Sequence, residues 1–117
     1  QNFPEQFGEL FVLVCCMGAG CTDVMLLCLE DWIFEAKAIA GDAHLGGDDF
    51  DAVIFKHCCE DFKRRNCGKD VRTCPLATAR LWSECERVKC ALSDSNVVTM
   101  DLDSLLEDVD YCYAWTR

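Results

Sequence analysis

Two periods of apolar residues divide this chain. Phe11 to Cys15 is an unbroken apolar run containing aromatic and β-branched residues, it is followed by Gly18-Ala19-Gly20, and Asp23 to Leu29 is a second run of strand length. Runs of this length bounded by turn residues predict strands, and the short glycine-bearing link predicts a hairpin. Glu30-Asp31 turns the chain again. Ile33, Glu35 and Lys37 then alternate with Phe34, Ala36 and Ala38 as far as Ile39, which is the period-two pattern of a third, half-buried strand.

From Asp48 the period becomes helical. Phe50, Val53, Ile54, His57, Cys58 and Phe62 recur at spacings of three and four, predicting one apolar stripe on a helix that ends before Cys67-Gly68. Pro75 is a favoured first-turn residue and opens a second predicted helix, with Ala77, Leu81, Cys85, Val88 and Leu92 on its buried face. After Ser93-Asp94-Ser95 the strand pattern returns. Val97 to Leu102, a turn around Ser104 to Asp108, and Val109, Tyr111, Tyr113 and Trp115 alternating with Asp110, Cys112, Ala114 and Thr116 predict a closing hairpin. The predicted class is α+β: a three-stranded antiparallel sheet, two amphipathic helices and a C-terminal β-hairpin. A subdomain boundary is expected near Gly41 to Gly47.

Composition narrows the function classes. At 117 residues, 51% apolar and 27% charged, the chain is a globular domain able to bury a core. Its longest apolar run, Leu10 to Gly20, is short of the roughly 20 residues a bilayer helix needs, so no membrane partner is expected. A net charge of −10 argues against nucleic acid, which rewards clustered cations. The basic cluster Lys63-Arg64-Arg65 instead suits the C-terminal end of a helix dipole. Eleven cysteines suggest a disulfide scaffold, but their number is odd, two pairs are adjacent in sequence and no Cys-x-x-Cys occurs. Reduced thiols acting as small buried hydrophobes are therefore expected, with no metal site.

The densest signal is Gly41-Asp42-Ala43-His44-Leu45-Gly46-Gly47-Asp48-Asp49-Phe50-Asp51. Glycine lets a backbone approach an anion closely, and amides at a helix start have no partner inside the helix. A phosphate-contacting turn is one reading, and an ordinary strand-to-helix loop with Asp48 and Asp49 favouring the N-terminal dipole is the other. As a whole the stretch resembles the segment entering the second lobe of the ATPase domain in the seventy-kilodalton heat-shock chaperones. The resemblance runs from about Phe11 to Arg117. Val12 to Val24 looks like that family's second phosphate loop, and Glu60 to Arg65, Cys85 to Ser93 and Asp103 to Tyr111 follow its order and spacing.

This resemblance implies an unassigned segment 1–10, inner lobe II strands with a degenerate phosphate loop over 11–45, and the outer lobe II subdomain over 46–117. It implies phosphate-binding remnants at Gly18, Ala19, Gly20, Cys21, Gly46 and Gly47, and a metal- or water-organising remnant at Asp23. Glu86, Lys89 and Ser93 stand where relatives hold adenosine. Two departures weaken that set: Cys16 replaces an aspartate near the hydrated metal, and Cys90 replaces an arginine that stacks on adenine. A glycine often occupies the place of Trp32 in relatives, so a different turn geometry is expected there. From Glu86 and Lys89 alone, a surface ion pair is an equal reading.

The resulting expectation is a piece of a chaperone ATP-binding domain with weak or lost nucleotide binding. ATP or ADP with Mg²⁺ is its weak cofactor. No catalytic residue and no enzyme activity are expected of the chain by itself, because the first phosphate loop and the catalytic lysine belong to the opposite lobe. The alternative is a pseudo-chaperone interaction module docking nucleotide-exchange factors or co-chaperones, and a third idea is a redox-responsive thiol protein. A monomer or weakly self-associating chain in the cytoplasm is expected. It starts without methionine and stops at Arg117, where relatives continue, which suggests excision or processing.

Overall fold

The computed structural model describes residues 8–117, so most of the unassigned N-terminal segment lies outside the described residues. The chain forms two compact units, Gln1–Asp49 and Phe50–Arg117. In the first, β1 (Leu10–Met17), β2 (Thr22–Glu30) and β3 (Ile33–Asp42) form an antiparallel sheet in chain order. Asp31 and Trp32 link β2 to β3, both with positive φ, 48° and 65°. That is the backbone of a tight two-residue hairpin turn whose twist matches the strands. A large side chain at Trp32 thus occupies a conformation that glycine adopts without cost.

One strand reading needs correction. β3 is exposed along all ten residues rather than half-buried, because an alternating pattern buries a face only where a second layer covers it. Its register slips by one residue between Leu26 and Leu27, so that Leu27 faces Ala36 and Leu26 faces Ala38. Lys37 is the extra residue of that bulge.

The second unit holds the core. Helix α1 (Gly47–Arg65) places acidic residues in its first turn and Lys63, Arg64 and Arg65 in its last, matching the dipole at both ends. Cys67 and Gly68 stop it with φ of 54° and 82°, and the Gly68 amide donates to the Lys63 carbonyl at 2.8 Å, a left-handed C-terminal cap. A single 3-10 turn, Val71–Thr73, then leads to α2 (Pro75–Ala91), and β4 (Val97–Leu106) and β5 (Val109–Thr116) pair antiparallel.

The α2 stripe is buried as predicted at Ala77, Leu81, Cys85 and Val88, with Leu92 partly buried beyond the helix end. The α1 stripe is buried only in part, at Cys58 and Phe62 with Ile54 half-buried. Phe50 and Val53 are exposed, and the buried positions are Asp51, Cys58, Cys59, Asp61 and Phe62. Two carboxylates lie on the inner face because each has partners there: Tyr111 Oη donates to Asp61 Oδ2 at 3.0 Å, Arg65 also pairs with Asp61 at 3.0 Å, and Lys89 pairs with Asp51 at 2.9 Å. A buried carboxylate is tolerated when so paired. The closing turn is also shorter than expected. β4 continues to Leu106, and only Glu107 and Asp108 turn. The irregular stretch at Ser104 is held by Asp110 Oδ1, which accepts from the Ser104 amide at 2.7 Å, and by Arg80, which donates to the carbonyls of Asp103 and Ser104.

Candidate functional site

Opposite register positions Met17 and Thr22 leave residues 18–21 as a four-residue turn, closed by the Gly18 amide donating to the Cys21 carbonyl at 2.9 Å. The start of α1 backs onto this turn. The Gly47 amide donates to the Gly18 carbonyl at 2.9 Å, the Asp48 amide donates to the Ala19 carbonyl at 2.8 Å, and Thr22 Oγ1 donates to the Leu45 carbonyl at 2.7 Å. A Cβ on Gly46 would stand 2.3 Å from the Ala19 carbonyl oxygen and 2.6 Å from the Gly20 nitrogen. No larger residue fits there without moving backbone. Asp49 completes the junction, its carboxylate accepting from the Gly46 amide at 2.8 Å and its own amide donating to the Gly46 carbonyl at 3.1 Å, a reciprocal cap.

At Gly46 and Gly47 the backbone is already engaged within this unit. The amides from Gly46 to Asp49 are each given to an acceptor within this unit, so they are not free to contact an anion. The bareness of Gly46 serves backbone-on-backbone packing instead. Among the described residues, the amides of Ala19 and Gly20 donate no hydrogen bond, and both residues are exposed, as are Gly18 and Cys21.

Strand register brings Cys16, Asp23 and Gly41 into one row across the sheet. A Cβ on Gly41 would meet Asp23 Oδ1 at 2.6 Å, so the glycine makes room for the carboxylate. Asp23 is the single hard oxygen donor of this row. Its neighbour Cys16 is a soft thiol ill-suited to Mg²⁺, and among the described residues no three His, Cys, Asp or Glu side chains are placed to hold a metal ion. The row therefore does not fit Mg²⁺ by itself.

In the second unit, Glu86, Lys89 and Ser93 follow one another along the C-terminal half of α2 and just past it. Lys89 is engaged: its Nζ lies 2.9 Å from Asp51 Oδ2, and that hydrogen bond raises its pKa above the ordinary lysine value. The ion pair is thus with Asp51, 38 residues away in sequence, and not with Glu86. Sequence reading missed Asp51, although an aspartate beside Phe50 in a helical stripe was the visible signal. Glu86 lines an open groove of about 560 Å³ with Arg72, Pro75, Thr78, Trp82 and Ser83. Ser93 and Cys90 are exposed, the Ser93 amide donating to the Cys90 carbonyl at 3.1 Å. All eleven cysteines carry free thiols, and no helix is long and apolar enough to cross a membrane among the described residues.

Comparison with known proteins places these features. The family model of the Hsp70 protein matches residues 4–117. The chain is 44% identical over 110 residues to a heat shock 70 kDa protein of Neurospora crassa, covering 94% of the chain and 17% of that protein. It is 43% identical to the putative heat shock 70 kDa protein 7 of Homo sapiens, with 94% and 30% covered, and 42% identical to heat shock cognate 70 kDa protein 3 of Dictyostelium discoideum, with 94% and 17% covered. The chain thus spans about 17% of the length of most of these relatives. The expectation that it is no enzyme is thereby corrected. That expectation judged these residues apart from the opposite lobe, whereas the relatives are Hsp70 ATPases of which the chain matches one stretch. With a family match over all but the first three residues, and with relatives 44% and 43% identical over 94% of the chain, the chain belongs to the Hsp70 family of heat-shock chaperones, within its ATPase domain.

Proposed function

We propose that residues 11–45 are inner strands, and 46–117 the outer subdomain, of the second lobe of an Hsp70-type ATPase domain, and that the turn at residues 18–21 contacts nucleotide phosphate. The observation that carries this reading is the lock between the two glycine segments. Gly46 packed against Ala19 and Gly20 commits the helix-start amides inward and leaves the exposed Ala19 and Gly20 amides as donors, which suits an anion. In this reading Gly46 and Gly47 position the turn, and Asp23 orients water or metal carried by the phosphates. Glu86 and Ser93 are assigned to adenosine by family resemblance, and Lys89 acts there while bound to Asp51. Nucleotide affinity is lowered because Cys16 supplies no hard oxygen and Cys90 no planar cation.

A second reading is favoured by the groove on α2. Trp82 and Pro75 give it apolar walls between Arg72 and Glu86, a surface suited to a protein partner such as an exchange factor or co-chaperone, in a cytoplasmic setting. Titration calorimetry with Mg-ATP separates the two. Weak saturable binding that is lost in Gly20→Pro, which removes one of the turn amides, supports the phosphate reading. Silence up to millimolar nucleotide overturns it in favour of the interaction module.

A further inference from the structure

An ion pair joins α1 to α2 within Phe50–Arg117. Lys89 Nζ lies 2.9 Å from each carboxylate oxygen of Asp51. The side chain of Asp51 is 3% exposed and that of Lys89 28%, so the carboxylate is covered while the lysine still reaches solvent. Glu86, three residues before Lys89 on α2, is exposed and shares its helix face. These residues bring one positive and two negative charges together, which leaves the set net negative. Neighbouring arginines do not reverse that balance. Arg72, which lines the groove with Glu86, is held by Asp70 through Nε at 2.9 Å and Nη2 at 3.0 Å, and Arg87 pairs with Glu84.

From this arrangement we propose that Asp51 is a positioning residue that sets ligand specificity at the adenosine site: by neutralising Lys89 it makes the site accept a ribose with free hydroxyls and reject one phosphorylated on its 2′ or 3′ oxygen. The proposal rests on the reading of Glu86, Lys89 and Ser93 as that site. A lysine without a counter-charge is a point charge that binds phosphate well. Tied to a buried carboxylate, it acts as a hydrogen-bond donor in a field that is no longer positive. Vicinal hydroxyls suit the remaining pair, because a hydroxyl can accept from the ammonium of Lys89 and another can donate to the carboxylate of Glu86. A phosphate in their place offers acceptors only and meets Glu86 as a like charge, and like-charge juxtaposition is how a site excludes a competitor. Asp51 also fixes the geometry, since it ties Lys89 of α2 to a helix 38 residues away in sequence.

The test is a chemical-shift titration of the whole chain with adenosine, adenosine 2′-phosphate and adenosine 3′-phosphate, read at the Lys89 and Ser93 amides. The unaltered protein should bind adenosine about tenfold more tightly than either phosphate. Asp51→Asn keeps the side-chain volume and leaves the charge of Lys89 uncompensated, so the preference should vanish or reverse. Loss of packing alone would weaken all three ligands together and leave their ratio unchanged. Asp51→Asn combined with Lys89→Gln removes both charges, orphans neither and should show the preference of the unaltered protein again; it decides the matter if the single variant loses its native circular dichroism. Equal binding of the three ligands by the unaltered protein, a ratio unchanged in folded Asp51→Asn, or a preference lost in the double variant overturns the proposal and leaves the adenosine reading standing. Silence toward adenosine up to millimolar overturns the adenosine reading, and the proposal with it.

Discussion

The two units of this chain place their apolar residues in opposite ways. In Phe50–Arg117 two helices and a hairpin close over Phe62, Leu81, Val88, Met100 and Tyr111, all essentially without exposure. In Gln1–Asp49 the strands have a full ladder of hydrogen bonds, yet only Cys28 and Leu29 of their apolar residues are buried. Phe11, Leu13, Val14, Met17, Ile33, Phe34 and Ile39 remain exposed. Backbone pairing gives shape, but stability comes mainly from apolar area removed from water. The contrast therefore teaches that pairing strands does not by itself bury a sheet's apolar face, which needs a layer packed across it. The first unit's two edges also differ. β3 carries a bulge, Glu35 and Lys37, which discourage strand addition, whereas β1 is uncharged and has no register shift.

The sharpest way to break the comparison is to cut one large side chain from each unit. Phe62→Ala should destabilise the second unit by about 3–5 kcal/mol, while Leu13→Ala, at 68% exposure, should stay within about 0.5 kcal/mol. Urea unfolding followed by near-ultraviolet circular dichroism reads both, and equal losses would sink the contrast. Next comes Gly46→Ala. Its Cβ would meet the Ala19 backbone at 2.3 Å, so about 1–3 kcal/mol of strain should loosen the junction locally. Faster hydrogen exchange at the Gly47 and Asp48 amides, with the second unit's core amides unchanged, is the expected signature.

A third effect depends on pH. Burial pushes the Cys59 thiol up to about 11 from its ordinary value of 9.0. The unfolded chain then loses its proton first as pH rises, so stability is fully present below pH 9 and falls from there to pH 11. The slope is at most about 1.4 kcal/mol per pH unit. Cys59→Val should flatten that fall in the second unit, and a slope unchanged by the substitution would show that another group carries it.

Nucleotide titrations sharpen the comparison further, because one substitution lies in each unit. Cys90→Arg should strengthen adenosine and Mg-ATP alike, by on the order of 0.5–2 kcal/mol. Cys16→Asp should help only when phosphate and Mg²⁺ are present, and an equal gain with adenosine would dismiss the turn at residues 18–21 as a phosphate contact. Smallest of all, Trp32→Gly should relieve the left-handed backbone at φ 65°. A gain of about 1 kcal/mol confined to the sheet should appear as slower exchange of the Glu30 and Ile33 amides.

Much of this was written in the sequence itself. The shift from period two to 3.6, Pro75 opening α2 and the Ala77-Leu81-Cys85-Val88 stripe were legible because each follows from local geometry: a helix face repeats every three or four residues whatever it packs against. The family was legible too, since the run from Gly41 to Asp51 preserves residue types over a long stretch. Three things were decided only by tertiary structure. Which face of α1 points inward depended on Lys89 and Tyr111 meeting Asp51 and Asp61, partners up to 50 residues away that remove the penalty of burying a carboxylate. What Gly46 is for depended on the turn at Ala19 pressing against it. Whether β3 is half-buried depended on a covering layer, and alternation along a strand states only which residues could share a face, while burial is a property of what lies across from it.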